Sequence, residues 1–335
     1  MKAGELPTEE MTRDPMAFTD RVTASSTKWP IEARRYRLVI SRACPWANRT
    51  AIVRRLMGLD DAISQAVASP ILETIAGDAH WVFSDDVGGV DPVLGVHALR
   101  DSYLARRPGY DGGVSVPVLV DIPSGHLVSN DFESLTIDMG KEWVALQRDG
   151  APDLYPDALR DEINAVNESV YANLNNGVYM AGFAPNQQAY EGAVRRVFAE
   201  LDQLEARLTT RRYLVGDSIT EADIRLWPTL VRFDAVYHGH FKCNLRKLIE
   251  YPALWSYARD LFQTPGFGDT IDFDHIRKHY YYVHSGINPT RIVAVGPKPV
   301  AWLTAHRREQ LGGRPFGDGR PPGPPLEKDR VPQIG

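Results

Sequence analysis

The sequence predicts two domains of different class, an α/β domain followed by an all-α domain. Near the start, an apolar strand pattern at residues 36–41 leads directly into a helix pattern at residues 45–57. A helix pattern in "VHALRDSYLARR" precedes two strands, "PVLVD" and "HLVSN", which are joined by a "PSG" turn and followed by another helix. From about residue 150 onward strand patterns fade, and helical periodicity dominates segments such as "AYEGAVRRVFAELDQLEARL".

Composition and the positions of proline and glycine residues divide the chain into four parts. Residues 1–30 are polar with scattered prolines and are expected to form a flexible or wrapping N-terminal arm. The α/β domain is predicted to occupy residues 31–148 and the all-helical domain residues 149–306. The tail at residues 307–335 is rich in proline and glycine, which predicts disorder.

Composition also limits the possible partners and location. With 335 residues, of which 43% are hydrophobic and 24% charged, the chain can bury a large core. A formal net charge of -5 argues against nucleic-acid binding. We find neither an apolar run long enough for a bilayer nor a signal-peptide core, so we expect a cytoplasmic protein without a membrane partner.

Cys44, in "RACPWANRT", is the candidate nucleophile. It stands just ahead of the predicted helix with Pro45 at the first helical position, so its sulfur should lie near unpaired N–H groups and the positive end of the helix dipole. Such sites lower the pKa of a thiol from about 8.5 to roughly 3.5 to 7.5. Because Ala47 stands where a C-x-x-C motif has its second cysteine, a mixed disulfide on Cys44 must be resolved by a small thiol from solution.

Structural interpretations compete with chemical ones at several positions. Cys44 could be a buried structural cysteine at a helix start, and Cys243, in "HFKCNL" among helices, favours that interpretation. Two distant cysteines do not make a disulfide framework. Thr220 and Asp223, in "SITEADI", have the spacing of a helix capping box and are assigned to folding.

Two further features suit a ligand with peptide and amino-acid groups. Pro117, in "SVPVLVD", precedes a strand where thioredoxin-like folds have a cis-proline that exposes the backbone of the preceding Val116, although a trans proline at a strand start is the alternative. Glu133 and Ser134 lie at a strand-to-helix junction, where a hydroxyl, N–H donors and an acid suit an amino-acid head group. A simple N-cap explains the same two residues equally well.

The motif around Cys44 resembles the C-P-W-A-H-R signature of glutathionyl-hydroquinone reductases, the xi class of glutathione transferases. The resemblance extends from about residue 28 to about residue 300, through "NNGVYMAGFA", "YLVGDSITEADIRLWPTLVRFDAVYHGHFKCNL", "YPALWSYARDLFQTPGF" and "FDHIRKHYYYVHSGINPT". It implies a thioredoxin-like N-terminal domain, an all-helical glutathione transferase C-terminal domain and a homodimer formed through the helical domains. It implies no metal.

The resemblance also implies a reaction and the residues that perform it. The active cysteine, Cys44, attacks the sulfur of a glutathionyl-hydroquinone thioether, releases the hydroquinone and forms a mixed disulfide that a second glutathione reduces. Two phenols, Tyr179 and one of the "KHYYYVH" tyrosines taken as Tyr280, are expected to hydrogen-bond the quinol oxygen. Helical-core packing is the other interpretation of these tyrosines. The implied glutathione-binding residues are Trp81, Val116, Pro117, Glu133 and Ser134.

This chain departs from the family pattern at two positions. Asn48 replaces the signature histidine, which removes a titratable group beside the nucleophile. Gly113, in "GGVSVP", replaces an arginine of the family pattern G-R-V-T-V-P and so removes a cation that would bind a carboxylate. A thiol without such carboxylates, for example mycothiol, is therefore an alternative co-substrate.

Three function classes follow from the sequence. The favoured one is a thiol-dependent reductase that acts on S-conjugated hydroquinones. A conjugating glutathione transferase is the second, but a cysteine in place of a hydroxyl favours disulfide exchange over conjugation. A non-catalytic thiol-binding module is the third, and it would not require a reactive Cys44.

Overall fold

A four-stranded mixed sheet forms the centre of the N-terminal domain. The computed structural model describes residues 16–332 and 334. The strands are β1 (Tyr36–Ile40), β2 (Ile63–Val67), β5 (Val118–Asp121) and β6 (His126–Ser129), in the order β2-β1-β5-β6. β1 runs parallel to β2 and antiparallel to β5, and β5 runs antiparallel to β6. A separate hairpin consists of β3 (Glu73–Ile75) and β4 (Asp78–His80).

Helices cover this sheet and form the whole second domain. Those of the first domain are α1 (Pro45–Met57), α2 (Arg100–Arg106) and α3 (Phe132–Lys141). Those of the second are α4 (Arg160–Val170), α5 (Gly177–Gly182), α6 (Gln187–Leu208), α7 (Glu221–Arg232), α8 (Pro252–Gln263) and α9 (Phe273–Val283). Five-residue π-helical turns follow α4, at Tyr171–Asn175, and α7, at Phe233–Tyr237. The predicted α/β domain and all-α domain are both present.

The elements agree with the sequence patterns where local signals are strong. Helix α1 occupies the predicted residues, and β5 and β6 lie where the two apolar runs predict them. The capping box predicted at Thr220 and Asp223 is also confirmed, because the backbone N–H of Thr220 donates to the Asp223 carboxylate at 2.8 Å at the start of α7. The sequence patterns missed β2 and the β3–β4 hairpin, whose strands are only three to five residues long.

Helix α1 is buried on every side. All of its residues are buried, because the sheet lies on one side and α3 and α7 pack on the other. The apolar residues of α1 are therefore only part of what this helix buries. Arg54 and Arg55 near its C-terminus are buried as well, and their guanidinium groups must find acceptors inside the protein.

The C-terminal tail supplies several of these acceptors. Arg54 Nη2 lies 2.9 Å from an Asp329 carboxylate oxygen, and Arg55 Nη2 donates to the carbonyl of Gly323 at 2.7 Å. The backbone N–H of Arg320 donates to the carbonyl of Gly150 at 2.8 Å, where the two domains join. The structure therefore differs from the expectation of a disordered tail. Contacts with distant parts of the chain order this segment, although its composition alone predicts disorder.

The described part of the N-terminal arm also packs against the first domain. The Phe18 ring is buried against Tyr103 and Tyr110, and the Phe18 amide donates to the Asn130 side chain at 3.0 Å. A bridge pairs Thr19 with Ser129 at the end of β6. These contacts describe a wrapping arm from residue 16 onward, and the expectation for residues 1–15 lies outside the described residues.

The buried Arg54–Asp329 pair predicts that the tail stabilises the fold. We expect Asp329→Ala to lower the free energy of unfolding by about 1.5 to 3 kcal/mol, because a buried guanidinium loses a charge-assisted hydrogen bond and keeps only Asp60 as a carboxylate partner. Urea unfolding measures this difference. Asp318→Ala is the matched control, because the Asp318 side chain is 96% exposed in its pair with Arg314 and its loss should leave stability unchanged.

Candidate active site

Cys44 lies at the N-terminus of α1, as the sequence predicts. It is the N-cap residue, Pro45 is the first residue of the helix, and the Cys44 carbonyl accepts from the backbone N–H of Asn48 at 3.0 Å. The thiol is partly exposed, and its sulfur lies 3.3 Å from the carbonyl oxygen of Val116. The Val116–Pro117 peptide bond is cis. The structure therefore brings together the cysteine and the backbone segment that the sequence proposes for a peptide-like ligand.

Glu133 and Ser134 lie in the first turn of α3, and Asp131 organises this turn. The Asp131 carboxylate caps the helix by accepting from the backbone N–H groups of Glu133 and Ser134, each at 3.1 Å. It also accepts the Ser134 hydroxyl proton at 2.6 Å. The N-cap is therefore a residue that the sequence analysis did not select, although Asp before a helix is a recognisable signal.

Trp81 connects the first domain to α9. Its indole stacks on the imidazole of His279, with ring centroids 5.0 Å apart and an interplanar angle of 12°. His279 Nδ1 donates to the carbonyl of Pro70 at 2.8 Å, and burial lowers the pKa of His279 to about 4. The His279 imidazole is therefore neutral. It contacts both the Trp81 indole and the ring of Tyr280, the next residue of α9.

Three tyrosine hydroxyls form a hydrogen-bonded chain in the second domain. Tyr280 bonds to Tyr179 on one side and to Tyr237, at 2.9 Å, on the other. Tyr237 and Tyr280 are almost fully buried, and burial raises the pKa of both phenols well above the usual value, so both stay protonated. Tyr179 is the partly exposed member of the chain.

The sequence analysis found two of these three tyrosines. It selected Tyr280 among three adjacent candidates, and Tyr280 is the one that bonds Tyr179 in the structure. It missed Tyr237, which ends the π-helical turn after α7. A π-helical turn changes the residue spacing along a helix, so a pattern based on 3.6 residues per turn does not predict which way Tyr237 faces.

A buried arginine from α7 holds the turn that precedes Cys44. Arg232 is fully buried and donates to the carbonyls of Ala43 at 2.9 Å and Arg42 at 2.8 Å. It also donates to the side-chain oxygen of Asn48 at 3.1 Å, while the Asn48 amide donates to Thr270 Oγ1 at 2.8 Å. Asn48 therefore acts as a neutral bridge between α1 and the second domain. Sequence reasoning noted Asn48 but missed Arg232.

Gly113 lies in the loop that leads to cis-Pro117 and β5, and as a glycine it offers no side chain at this position. The Tyr110 hydroxyl donates to the Gly113 carbonyl at 2.9 Å, which fixes the loop. The loop residues from 111 to 115 are largely accessible.

Within residues 16–332 and 334, no group of three or more His, Cys, Asp or Glu side chains is arranged to hold a metal ion. Over the same residues, no helix has both the length and the apolar character needed to cross a membrane.

The second cysteine differs from the first. Cys243 is fully buried after α7, and burial raises the pKa of its thiol to about 12. A thiol with such a raised pKa stays protonated and unreactive at neutral pH. Cys243 is therefore a packing residue, as the sequence suggested.

The α/β domain with its cysteine at a helix start, followed by the helical domain, defines the glutathione transferase class. Residues 187–260 match the family model described as the glutathione S-transferase C-terminal domain. The glutathionyl-hydroquinone reductase YqjG of Escherichia coli is 42% identical over 294 residues, which are 85% of this chain and 88% of that protein. This chain belongs to the glutathionyl-hydroquinone reductase family, the xi class of glutathione transferases, and is an enzyme of that family.

Solved structures support the same assignment. A glutathione transferase from Gordonia bronchialis has a TM-score of 0.91 at 58% identity, covering 93% of this chain and 97% of that one. The glutathione-bound structure of Escherichia coli YqjG has a TM-score of 0.81 at 41% identity, covering 87% of this chain and 96% of that one.

The contrast between the two cysteines gives a direct test. At pH 8 we expect iodoacetamide to label the native protein once, at Cys44, because the Cys243 thiol is buried and protonated. Intact-mass spectrometry counts the labels. Cys44→Ser should take up none under the same conditions, and rapid labelling of that variant would show that Cys243 is accessible after all.

Proposed function

We propose that this chain is a thiol-dependent reductase that cleaves S-glutathionyl-hydroquinone thioethers through Cys44. The observation that carries this proposal is the position of Cys44 at the start of α1, with its sulfur 3.3 Å from the Val116 carbonyl and beside cis-Pro117. The name of the Escherichia coli relative supports the substrate class, and its glutathione-bound structure supports glutathione as co-substrate.

The proposed reaction has two steps. The Cys44 thiolate attacks the thioether sulfur, so that an S–S bond to glutathione forms while the bond from sulfur to the ring carbon breaks. The ring carbon takes up a proton, and free hydroquinone leaves. A second glutathione then attacks the mixed disulfide, which releases glutathione disulfide and restores Cys44. Overall the thioether sulfur and the sulfur of the second glutathione each give up one electron, and these two electrons allow C–H to replace C–S. The second glutathione takes the place of a resolving cysteine, which this chain lacks at Ala47.

The tyrosine chain is proposed to support the leaving hydroquinone. As the ring carbon leaves sulfur, a hydrogen bond to the ring oxygen stabilises the enol-like fragment that forms. Tyr179 is the partly exposed member of the chain, and when it accepts the hydrogen bond shared with the buried Tyr280 it can donate its own proton to the ring oxygen. In this proposal Tyr179 hydrogen-bonds the quinol oxygen, and Tyr280 supports Tyr179 through the hydrogen bond between their hydroxyls.

The thiol side of the substrate is proposed to bind to the first domain. Peptide groups of glutathione would pair with the Val116 backbone beside Pro117, as in the addition of a short strand. The amino-acid end would lie at the first turn of α3, where the Glu133 carboxylate suits an ammonium group, and the Ser134 hydroxyl would have to turn away from Asp131 to donate to a carboxylate. Trp81, held by its stack on His279, would cover the sulfur region.

A different small thiol is the second candidate, and Gly113 is the observation that favours it. A glycine there supplies no cation for a glutathione carboxylate, and a charge-assisted hydrogen bond of that kind contributes about 1.5 to 3 kcal/mol. Mycothiol has no such carboxylates, so its conjugates would lose nothing by the change. The chemistry at Cys44 would be the same.

Intact-mass spectrometry after incubation with a glutathionyl-hydroquinone tests the proposal. We expect one glutathione adduct on the native protein together with release of free hydroquinone, because Cys44 takes the thiol from the thioether. Cys44→Ala should form no adduct. A parallel incubation with the mycothiol conjugate identifies the thiol by the adduct that forms. If neither conjugate gives an adduct or hydroquinone, the reductase proposal is wrong.

The tyrosine chain predicts a loss of turnover on removal of one hydroxyl. We expect Tyr280→Phe to lower kcat by about 100-fold, because Tyr179 loses the partner that orients it toward the developing charge. Steady-state release of hydroquinone measures kcat. Tyr281→Phe is the matched control: the same hydroxyl is removed one residue further along α9 and outside the chain, and kcat should stay close to that of the native protein. Equal losses in the two variants would contradict the role of the chain.

A further inference from the structure

Arg232 occupies an unusual position for an arginine. It is fully buried at the end of α7, and each of its hydrogen bonds goes to a neutral oxygen. Two of these oxygens are the carbonyls of Arg42 and Ala43, at 2.8 and 2.9 Å, and they belong to the turn that leads into Cys44. The others are the Asn48 side-chain oxygen at 3.1 Å and the carbonyl of Pro228 at 2.9 Å.

No carboxylate neutralises this charge within the described part of the chain. None of the ion pairs formed by residues 16–332 and 334 includes Arg232. A buried cation that has only dipolar partners keeps its full electrostatic influence on its surroundings, because little water screens it. The removal of such a charge from water is costly, so its retention beside the nucleophile calls for a functional reason.

Among the other charged or titratable groups around the turn, one arginine is paired with a carboxylate, a histidine is neutral, and a second arginine is a buried cation as well. Arg42 faces Asp272 of the loop before α9 at 3.5 Å, so these two charges largely offset each other. His275 of α9 bonds to Ser41, and burial lowers its pKa to about 3, so it is neutral in the working range. Arg49, one turn along α1, bonds to the Asn175 side chain and is the other cation of this region.

The same charge also acts on the phenols. Burial raises the pKa of Tyr237 and of Tyr280, and the positive charge of Arg232 opposes that rise at both residues. Arg232 therefore lies between the turn of the nucleophile and the tyrosine chain. The fold brings both halves of the proposed site under the influence of one buried cation.

Asn48 explains how the cation is held without being neutralised. Its amide oxygen accepts from Arg232 while its amide nitrogen donates to Thr270 at 2.8 Å, so both ends of the side chain are used. An amide supplies an acceptor and carries no charge at any pH. A carboxylate at the same position would accept the same hydrogen bond but would cancel the charge.

We propose that Arg232 is a positioning residue that both fixes the turn before Cys44 and stabilises the Cys44 thiolate by its uncompensated buried charge, with Asn48 as its neutral partner. This inference rests on the proposed function of Cys44 as the nucleophile. It assigns to α7 of the second domain a direct part in activating a residue of the first.

Asn48→Asp is the sharpest test, because it adds a carboxylate to Arg232 with almost no change in side-chain shape. The rate of Cys44 alkylation by iodoacetamide is measured against pH by intact mass, which follows the thiolate without any need for turnover. We expect the midpoint of this profile to rise by about one pH unit, which corresponds to about a tenfold loss of thiolate below the midpoint. Asn186→Asp is the matched control: it adds the same charge at the N-cap of the distant α6 and should leave the midpoint unchanged.

A pair of variants at Arg232 keeps the test decisive if Asn48→Asp does not fold. Arg232→Met removes the charge and should raise the midpoint, whereas Arg232→Lys keeps the charge and should leave the midpoint close to that of the native protein. Thermal unfolding establishes that each variant is folded. Unchanged midpoints in folded Asn48→Asp or Arg232→Met would overturn the role of Arg232 while leaving the reductase proposal intact. A native profile without a lowered midpoint, at or above about 8.5, would remove both.

Discussion

Helix α1 is buried along its whole length although it carries arginines, and a buried guanidinium group requires oxygen acceptors from other parts of the protein. Much of the architecture provides them. The C-terminal tail meets Arg54 and Arg55, and residues of the second domain meet Arg49. Because Cys44 is the N-cap residue of this helix, the contacts that satisfy the buried arginines of α1 also hold the nucleophile in place.

The two chemical halves of the candidate site come from different domains. The cysteine, the cis-proline segment and the first turn of α3 belong to the α/β domain. The phenols come from α5, from the π-helical turn after α7 and from α9. The domains meet at the Trp81–His279 stack and at the bonds from Arg232 to the turn before Cys44. A relative movement of the domains would therefore disturb both halves at once.

Much of this arrangement could be predicted from the sequence, because it depends on local signals. The strand, cysteine, proline and helix pattern identified β1, Cys44 and α1, and the "SVP" segment indicated the cis bond at Pro117. Resemblance to a family selected Tyr280, which no periodicity could separate from the tyrosines beside it.

What the sequence could not predict depends on contacts between distant residues. Strand β2 is only five residues long, with two polar residues at its centre, and it is held in the sheet by pairing with β1. Arg232 looks like the last residue of an ordinary helix until the turn near Cys44 is placed against it. The tail has the composition of a disordered segment, and it is ordered by contacts with distant residues, among them the buried arginines of α1 and the carbonyl of Gly150.

The position of that tail also affects the order in which the protein can mature on the ribosome. Domains generally fold as units during synthesis, with the N-terminal one first. Here one of the two carboxylate partners of Arg54 is Asp329, which is translated 275 residues later. A nascent chain can assemble the sheet and the helices around α1 with Arg54 paired to Asp60, but the second carboxylate partner of Arg54 becomes available only once Asp329 has left the exit tunnel. The first domain to be translated thus gains part of its buried ion-pair network from a segment that is synthesised after the helical domain.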